Sequence, residues 1–252
     1  MYSEHPFFLQ PADENSKVWH YTNFVKFISM LEKQSLFFNR ADKFNDLFEG
    51  SYPKINTQNR EKVPKELPAT KSVKRALHEV AQQTTEMHKI WRKYVALNCW
   101  HLNDHESAAM WSLYSRKNDG VALQTTYAKL KESLIAEKFF LGKVQYIDYE
   151  RSELPDNHLL VPFIHKRESY EHEQEVRAVI MKPPFRGDQL DFDLETINNG
   201  LYISVDLNIL LETVFVAPDT PDWFLELVEK MKSRYDKQFL VKRTPLIDGP
   251  FF

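Results

Sequence analysis

Glu173-Gln174-Glu175 stands immediately before a strand-like run, Val176-Arg177-Ala178-Val179-Ile180. In an extended backbone alternate residues share a face. Glu173, Glu175 and Arg177 then line one side, and Val176, Ala178 and Ile180 the other. Two carboxylates and a guanidinium on one face of a buried strand are costly unless they are paired. Such a cluster is either a structural ion pair or a site.

Three other segments carry groups capable of chemistry. His20, in Trp19-His20-Tyr21-Thr22, can donate to a ligand hydroxyl with Thr22 beside it on the same face; the alternative is a half-buried histidine next to a helix cap. Phe44-Asn45-Asp46-Leu47-Phe48-Glu49-Gly50 follows Asn39-Arg40. Its Asn45, Asp46 and Glu49 either cap a turn or shape a pocket wall, and nothing in the spacing completes a metal site from Asp46 and Glu49. Cys99, His101 and His105 match no structural zinc spacing, and the neighbours of Cys99 point to a buried strand rather than a nucleophile. Trp111 and Tyr114 lie three apart on one predicted helix face. They are either core or an aromatic wall for a flat ring, with the Tyr114 hydroxyl in water.

The elements that must position these groups form a mixed pattern. Lys17–Tyr21, Leu36–Phe38, Val95–Trp100, Gly120–Thr125, Phe139–Ile147, Glu175–Met181, Leu201–Val205, Thr213–Ala217 and Gln238–Lys242 read as strands. A helix follows Thr22 or Asn23, with Phe24, Phe27, Ile28 and Leu31 on one side. Apolar residues from Val73 to Tyr94 fit one long amphipathic helix, residues 106–116 a short one, and Thr220-Pro221-Asp222 starts another. Strands and helices do not alternate strictly, so the expected class is α+β rather than a doubly wound parallel sheet. Residues 1–16 read as a loose polar lead, 17–252 as a single domain, and 51–70, with three prolines and many charges, as a mobile insertion.

Composition narrows the function classes. The 252 residues are 42% hydrophobic and 13% aromatic, enough for a substantial core, and the net charge of -3 gives no global signal for nucleic acid or an anionic membrane. No apolar run approaches a membrane-spanning length, the N-terminus lacks a signal-peptide pattern, and a lone cysteine forms no internal disulfide, which together favour a cytoplasmic protein. The six glycines are too scattered for a dinucleotide fingerprint or a P-loop.

Trp19–Thr22, Phe44–Gly50, Met110–Leu123 and Tyr170–Arg177 together resemble the bacterial domain of unknown function family 2971. More distantly, His20-Tyr21-Thr22 and Glu173-Gln174-Glu175 resemble the first and third site elements of ADP-ribosyltransferases, with Tyr114 as the candidate middle element. That resemblance implies a split, mainly antiparallel sheet with flanking helices, NAD as substrate and no metal. It also implies Glu175 and Glu173 as catalytic groups, and a cofactor-binding set of His20, Tyr21, Thr22, Tyr114, Arg40 and Arg177. Glu175 would stabilise the oxocarbenium-like transition state, Glu173 would activate a protein or nucleic-acid acceptor, His20 and Thr22 would hold the adenosine-side ribose, and Tyr114 or Tyr21 would stack on nicotinamide. Two readings compete: a non-catalytic binding module in which Arg177 or Arg167 ties up Glu175, and a metal-dependent hydrolase or nuclease using Asp46, Glu49, Glu173, Glu175 and the histidines.

Overall fold

The computed structural model describes residues 1–65, 67–114, 119–135, 138–156 and 158–247; the predicted helix at 106–116 therefore ends beyond the described residues. The chain opens with β1 (Lys17–Asn23), α1 (Phe24–Lys33) and β2 (Ser35–Arg40). Asn23 caps α1 by accepting the Lys26 amide at 2.9 Å. The helix ends at Gln34 in the left-handed region. After α2 (Lys54–Arg60) and α3 (Lys71–Trp91) come β3 (Val95–Leu102), α4 (Ala108–Tyr114), β4 (Gly120–Thr126) and α5 (Tyr127–Ser133). The strands β5 (Phe140–Lys143), β6 (Gln145–Ile147), β7 (His165–Arg167) and β8 (Glu175–Met181) follow, then the small hairpin of β9 (Phe185–Arg186) and β10 (Gln189–Leu190). The chain closes with β11 (Gly200–Ser204), α6 (Leu207–Leu210), β12 (Thr213–Val216), α7 (Asp222–Arg234) and β13 (Leu240–Arg243).

Nine strands make one sheet, in which every pairing is antiparallel except β12 with β13. The class is α+β, with a mixed, mainly antiparallel sheet and flanking helices. One edge of β3 pairs with β8 from Val95 to His101. The other edge is shared: Ala96 and Leu97 pair with β2, His101 and Leu102 with β1. Asn98, Cys99 and Trp100 have no ladder partner on that edge. The sheet therefore forks there, and this is the split. Val18, Phe27, Leu123, Val176, Ala178 and Val214 anchor the main core behind it.

Three local expectations change. The N-terminal lead is not loose: Phe8 is buried, Gln10 Nε2 donates to the Leu141 carbonyl at 2.8 Å, and Gly142 leaves space that a Cβ would take within 2.8 Å of the Phe8 backbone. Phe7 and Phe8 outweigh the polar residues around them. The long helix α3 forms, but it fully buries only Ala81 and Trp91 among its side chains; Val73, Leu77 and Ile90 are half-buried and Val80 and Met87 are exposed. Residues 51–70 include α2, pinned from below by Asn56, whose side-chain amide donates to the Leu154 carbonyl at 2.7 Å and accepts the Leu154 amide at 2.9 Å. Deleting this segment would therefore expose packed surface. Asn56→Ala leaves two buried backbone groups without partners, and it should lower unfolding stability by about 1–3 kcal/mol. Urea denaturation checks this; an unchanged midpoint would mean that the segment contributes nothing to the fold.

Candidate functional site

A cleft of about 900 Å³ opens at the fork. Its walls include His20 and Thr22 from β1, Asn98 and Cys99 from β3, Tyr114 from α4, and Glu173 and Glu175 at the start of β8. Residues from both ends of the sequence thus meet in one space.

The glutamate pair is built by a turn, not by strand alternation alone. Glu173 ends a 3₁₀ turn (Glu168–Glu173), and Gln174 adopts a left-handed conformation with φ 39° before β8 begins. That single residue turns outward and leaves Glu173 and Glu175 both buried. The Glu175 amide donates to the Tyr146 hydroxyl at 2.8 Å, and His101 Nδ1 donates to the Glu173 carbonyl at 2.6 Å, so the backbone of the pair is fixed on both sides.

A chain of buried charges runs beneath it. Lys166 Nζ lies 2.7 Å from both Glu173 Oε2 and Glu175 Oε1. Arg177, 0% exposed, donates from Nε to Glu175 Oε2 at 2.5 Å and from its two terminal nitrogens to Glu49 at 2.7 and 2.8 Å. Three carboxyls thus face two cations, and one proton makes the group neutral. Burial would raise the Glu175 carboxyl, but Arg177 and Lys166 outweigh it and hold Glu175 below the usual carboxylate range. Burial first, and then the adjoining Glu175, push Glu173 up to about 7. Burial also raises Glu49, yet both its oxygens are held by one guanidinium, so the proton is better placed on Glu173.

His20 Nδ1 sits 3.0 Å from the Cys99 carbonyl. A carbonyl only accepts, so Nδ1 carries the proton, and neutral His20 keeps Nε2 as an acceptor. Burial lowers its affinity for a second proton. Thr22 is on the same strand face. Tyr21 is on the other: its hydroxyl accepts the Ser107 amide at 2.8 Å and its ring meets Trp111 edge-on at 5.1 Å. Trp111 is core, while Tyr114 is 46% exposed on the cleft wall.

Two expected ligand contacts are not in the cleft lining. Arg40 bonds Asp42 at 2.7 Å, Glu195 at 3.2 Å and the Ile197 carbonyl at 2.8 Å. Arg177 is wholly engaged in the ion chain. Their charges are spent on protein partners, which is why neither reaches a ligand. Lys166 was missed, because a lysine on a three-residue strand shows no periodicity; its only signal is a cation nine positions before Glu175. Burial pushes the Cys99 thiol well above its ordinary range, against a nucleophilic role. Among the described residues, no three His, Cys, Asp or Glu side chains gather to hold a metal ion, and no helix is long and apolar enough to cross a membrane.

No family model matches the chain, so the resemblance to family 2971 gains no support, and no curated protein matches it. Among solved structures it is similar to Thermus sp. 2.9 DarT in complex with ADP-ribosylated ssDNA, with a TM-score of 0.41 and 10% identity over 94% of this chain and 96% of that one. A score of this size carries no residue roles and no activity across to this chain.

The charge imbalance gives a stability test. Folded Glu173 keeps its proton to about pH 7, whereas the unfolded carboxyl loses it near 4.5. The folded state therefore binds more protons in that window, and Glu173 weakens the fold as pH rises through it. Glu175 acts oppositely and lower, losing its stabilising effect only as pH falls below the ordinary carboxylate range. Glu173→Gln, neutral at every pH, should gain melting temperature relative to wild type from about pH 4.5 to about 7 and level off above. A constant difference across that range would mean that Glu173 is ionised throughout.

Proposed function

We propose that the cleft binds NAD and cleaves its nicotinamide–ribose bond, passing ADP-ribose to a protein or nucleic-acid acceptor or to water. The observation that carries this reading is the meeting of His20 with the Glu173–Glu175 pair in one cleft at the fork of the sheet. His20 Nε2 accepts from the adenosine-side ribose beside Thr22, and Tyr114 offers its ring to nicotinamide.

As the glycosidic C1′–N bond breaks, its electron pair leaves with the nicotinamide nitrogen and neutralises the pyridinium charge. Positive charge then develops on C1′ and the ring oxygen. Glu175, kept ionised by Arg177 and Lys166, stabilises that charge and accepts a ribose hydroxyl through its remaining lone pairs. Glu173 gives up its proton to solvent as the pyridinium charge enters the cleft, takes the acceptor's proton as the acceptor adds at C1′, and returns it to solvent.

One observation favours a second reading, a non-catalytic ligand-binding module: each Glu175 oxygen already accepts a bond from a cation. Glu175→Gln separates the two. For a transferase, nicotinamide release should fall by about a hundredfold or more. NAD binding should change little, and the bonds from Arg177 and Lys166 are weakened in either reading, so a stability loss of about 1–3 kcal/mol is expected in both. For a binding module, wild type releases no nicotinamide and the variant keeps ligand binding. Nicotinamide release by wild type, and its loss in the variant at unchanged NAD affinity, decide the matter.

A further inference from the structure

The cleft has a wall that the proposed chemistry does not use. On β2 the side chains of Ser35, Phe37 and Asn39 share a face, and all three line the cleft. Across the ladder Phe37 pairs with Tyr202 of β11, and Asn39 with Gly200. The two aromatic rings lie 5.0 Å apart between centroids and are 42% and 51% exposed. Together they make a contiguous exposed aromatic surface on the cleft wall. The rings are also held in place. Gly200 carries no side chain where a Cβ would come within 2.4 Å of the Phe37 ring, and Lys33 Nζ sits 3.8 Å from the Tyr202 ring centroid. The Phe37 carbonyl is anchored by Asn98 Nδ2 at 3.1 Å.

Asn39 stands next to this pair, half-buried, and among the described residues its side-chain amide has no hydrogen-bond partner. A primary amide offers one donor edge and one acceptor edge side by side. That pattern is complementary to adenine, which presents an amino donor beside a ring-nitrogen acceptor. The position suits a two-ended ligand. Phe37 hangs from Asn98 and His20 from Cys99, consecutive residues of β3, while Glu175 pairs with His101 two residues further along.

We propose that Phe37, Tyr202 and Asn39 form an adenine subsite, with the rings as the stacking surface and the Asn39 amide reading the base edge. This rests on the NAD reading for the rest of the ligand, but the subsite can be tested without it, using AMP as the probe. Saturation-transfer NMR should show AMP bound to wild type. Phe37→Ala, a change at a half-exposed ring, should weaken binding about tenfold or more with little change in melting temperature. Asn39→Asp replaces the amide by a carboxylate that accepts from guanine N1–H and its amino group. It should shift preference from AMP toward GMP by about fivefold or more. If wild type does not bind AMP, or binds it equally well with Phe37→Ala and with Asn39→Asp, the subsite is overturned, whether or not NAD is turned over. If AMP binds through Phe37 and Asn39 but no nicotinamide is released from NAD, the subsite stands and the transferase reading falls.

Discussion

The Arg177 guanidinium is the constraint on which the floor of the cleft depends. A fully buried cation costs several kcal/mol unless its donors are met. Here they are met by Glu49, by Glu175 and by the Phe163 carbonyl at 2.8 Å. These partners come from three separate stretches of chain: the loop after β2, the turn before β7, and β8 itself. Satisfying one guanidinium therefore fixes how all three pack. Gly50 shows how close that packing is. It has φ +66°, and a Cβ there would lie 2.3 Å from the Phe163 ring, so the residue after Glu49 must be glycine both for its backbone and for its neighbour. The orientation of Glu175 is a consequence of this convergence.

A fork in a sheet leaves backbone groups that a continuous ladder would have paired, and buried backbone groups must find other partners. Two side chains supply them. His20 donates to the Cys99 carbonyl, and Asn98 donates to the Phe37 carbonyl while accepting from Trp100 Nε1 at 2.6 Å. The same bonds that make the opening tolerable also set the chemistry of its walls, because the bond to Cys99 fixes which imidazole nitrogen of His20 is left to accept. The site and the irregularity of the sheet are one feature.

The long elements were legible because they bury one face or two: β1, β3, β4, β8 and α1 follow directly from apolar period and capping. Helix α7 follows from apolar period alone, since Thr220 donates to the Ala217 carbonyl and no side chain caps the helix start. Glu173 and Glu175 were legible as a pair, although the strand argument gave the right face by an incomplete route, since Gln174 in the left-handed region does part of the work. What the sequence did not reveal is non-local. Glu49 lies 128 residues from the Arg177 it neutralises, so Arg177 looked available to a ligand. Arg40 looked available partly for the same reason: its partners Glu195 and Ile197 lie far along the chain, although Asp42, two residues on, holds it locally. The fork itself has no sequence signature, because three consecutive residues of a strand losing a neighbour leaves periodicity unchanged. The platform of Phe37 and Tyr202 joins strands whose pairing the sequence could not fix.

The uneven count of charges beneath the cleft bears directly on chemistry. If carboxyls and cations balanced, the group would be a closed structural unit, with every charge compensated and no reason to exchange protons near neutral pH. With one carboxyl in excess, the proton on Glu173 is held only by burial and by the adjoining negative charge of Glu175. A positively charged ring entering the cleft acts against both: it adds compensating charge and favours ionised Glu173. Under the proposed reading, the pyridinium ring of NAD would thus help ionise Glu173 before any bond breaks. In that reading the charge passes to C1′ and the ring oxygen as the neutral ring leaves, and it is lost only as the acceptor adds, when Glu173 is again disposed to take a proton.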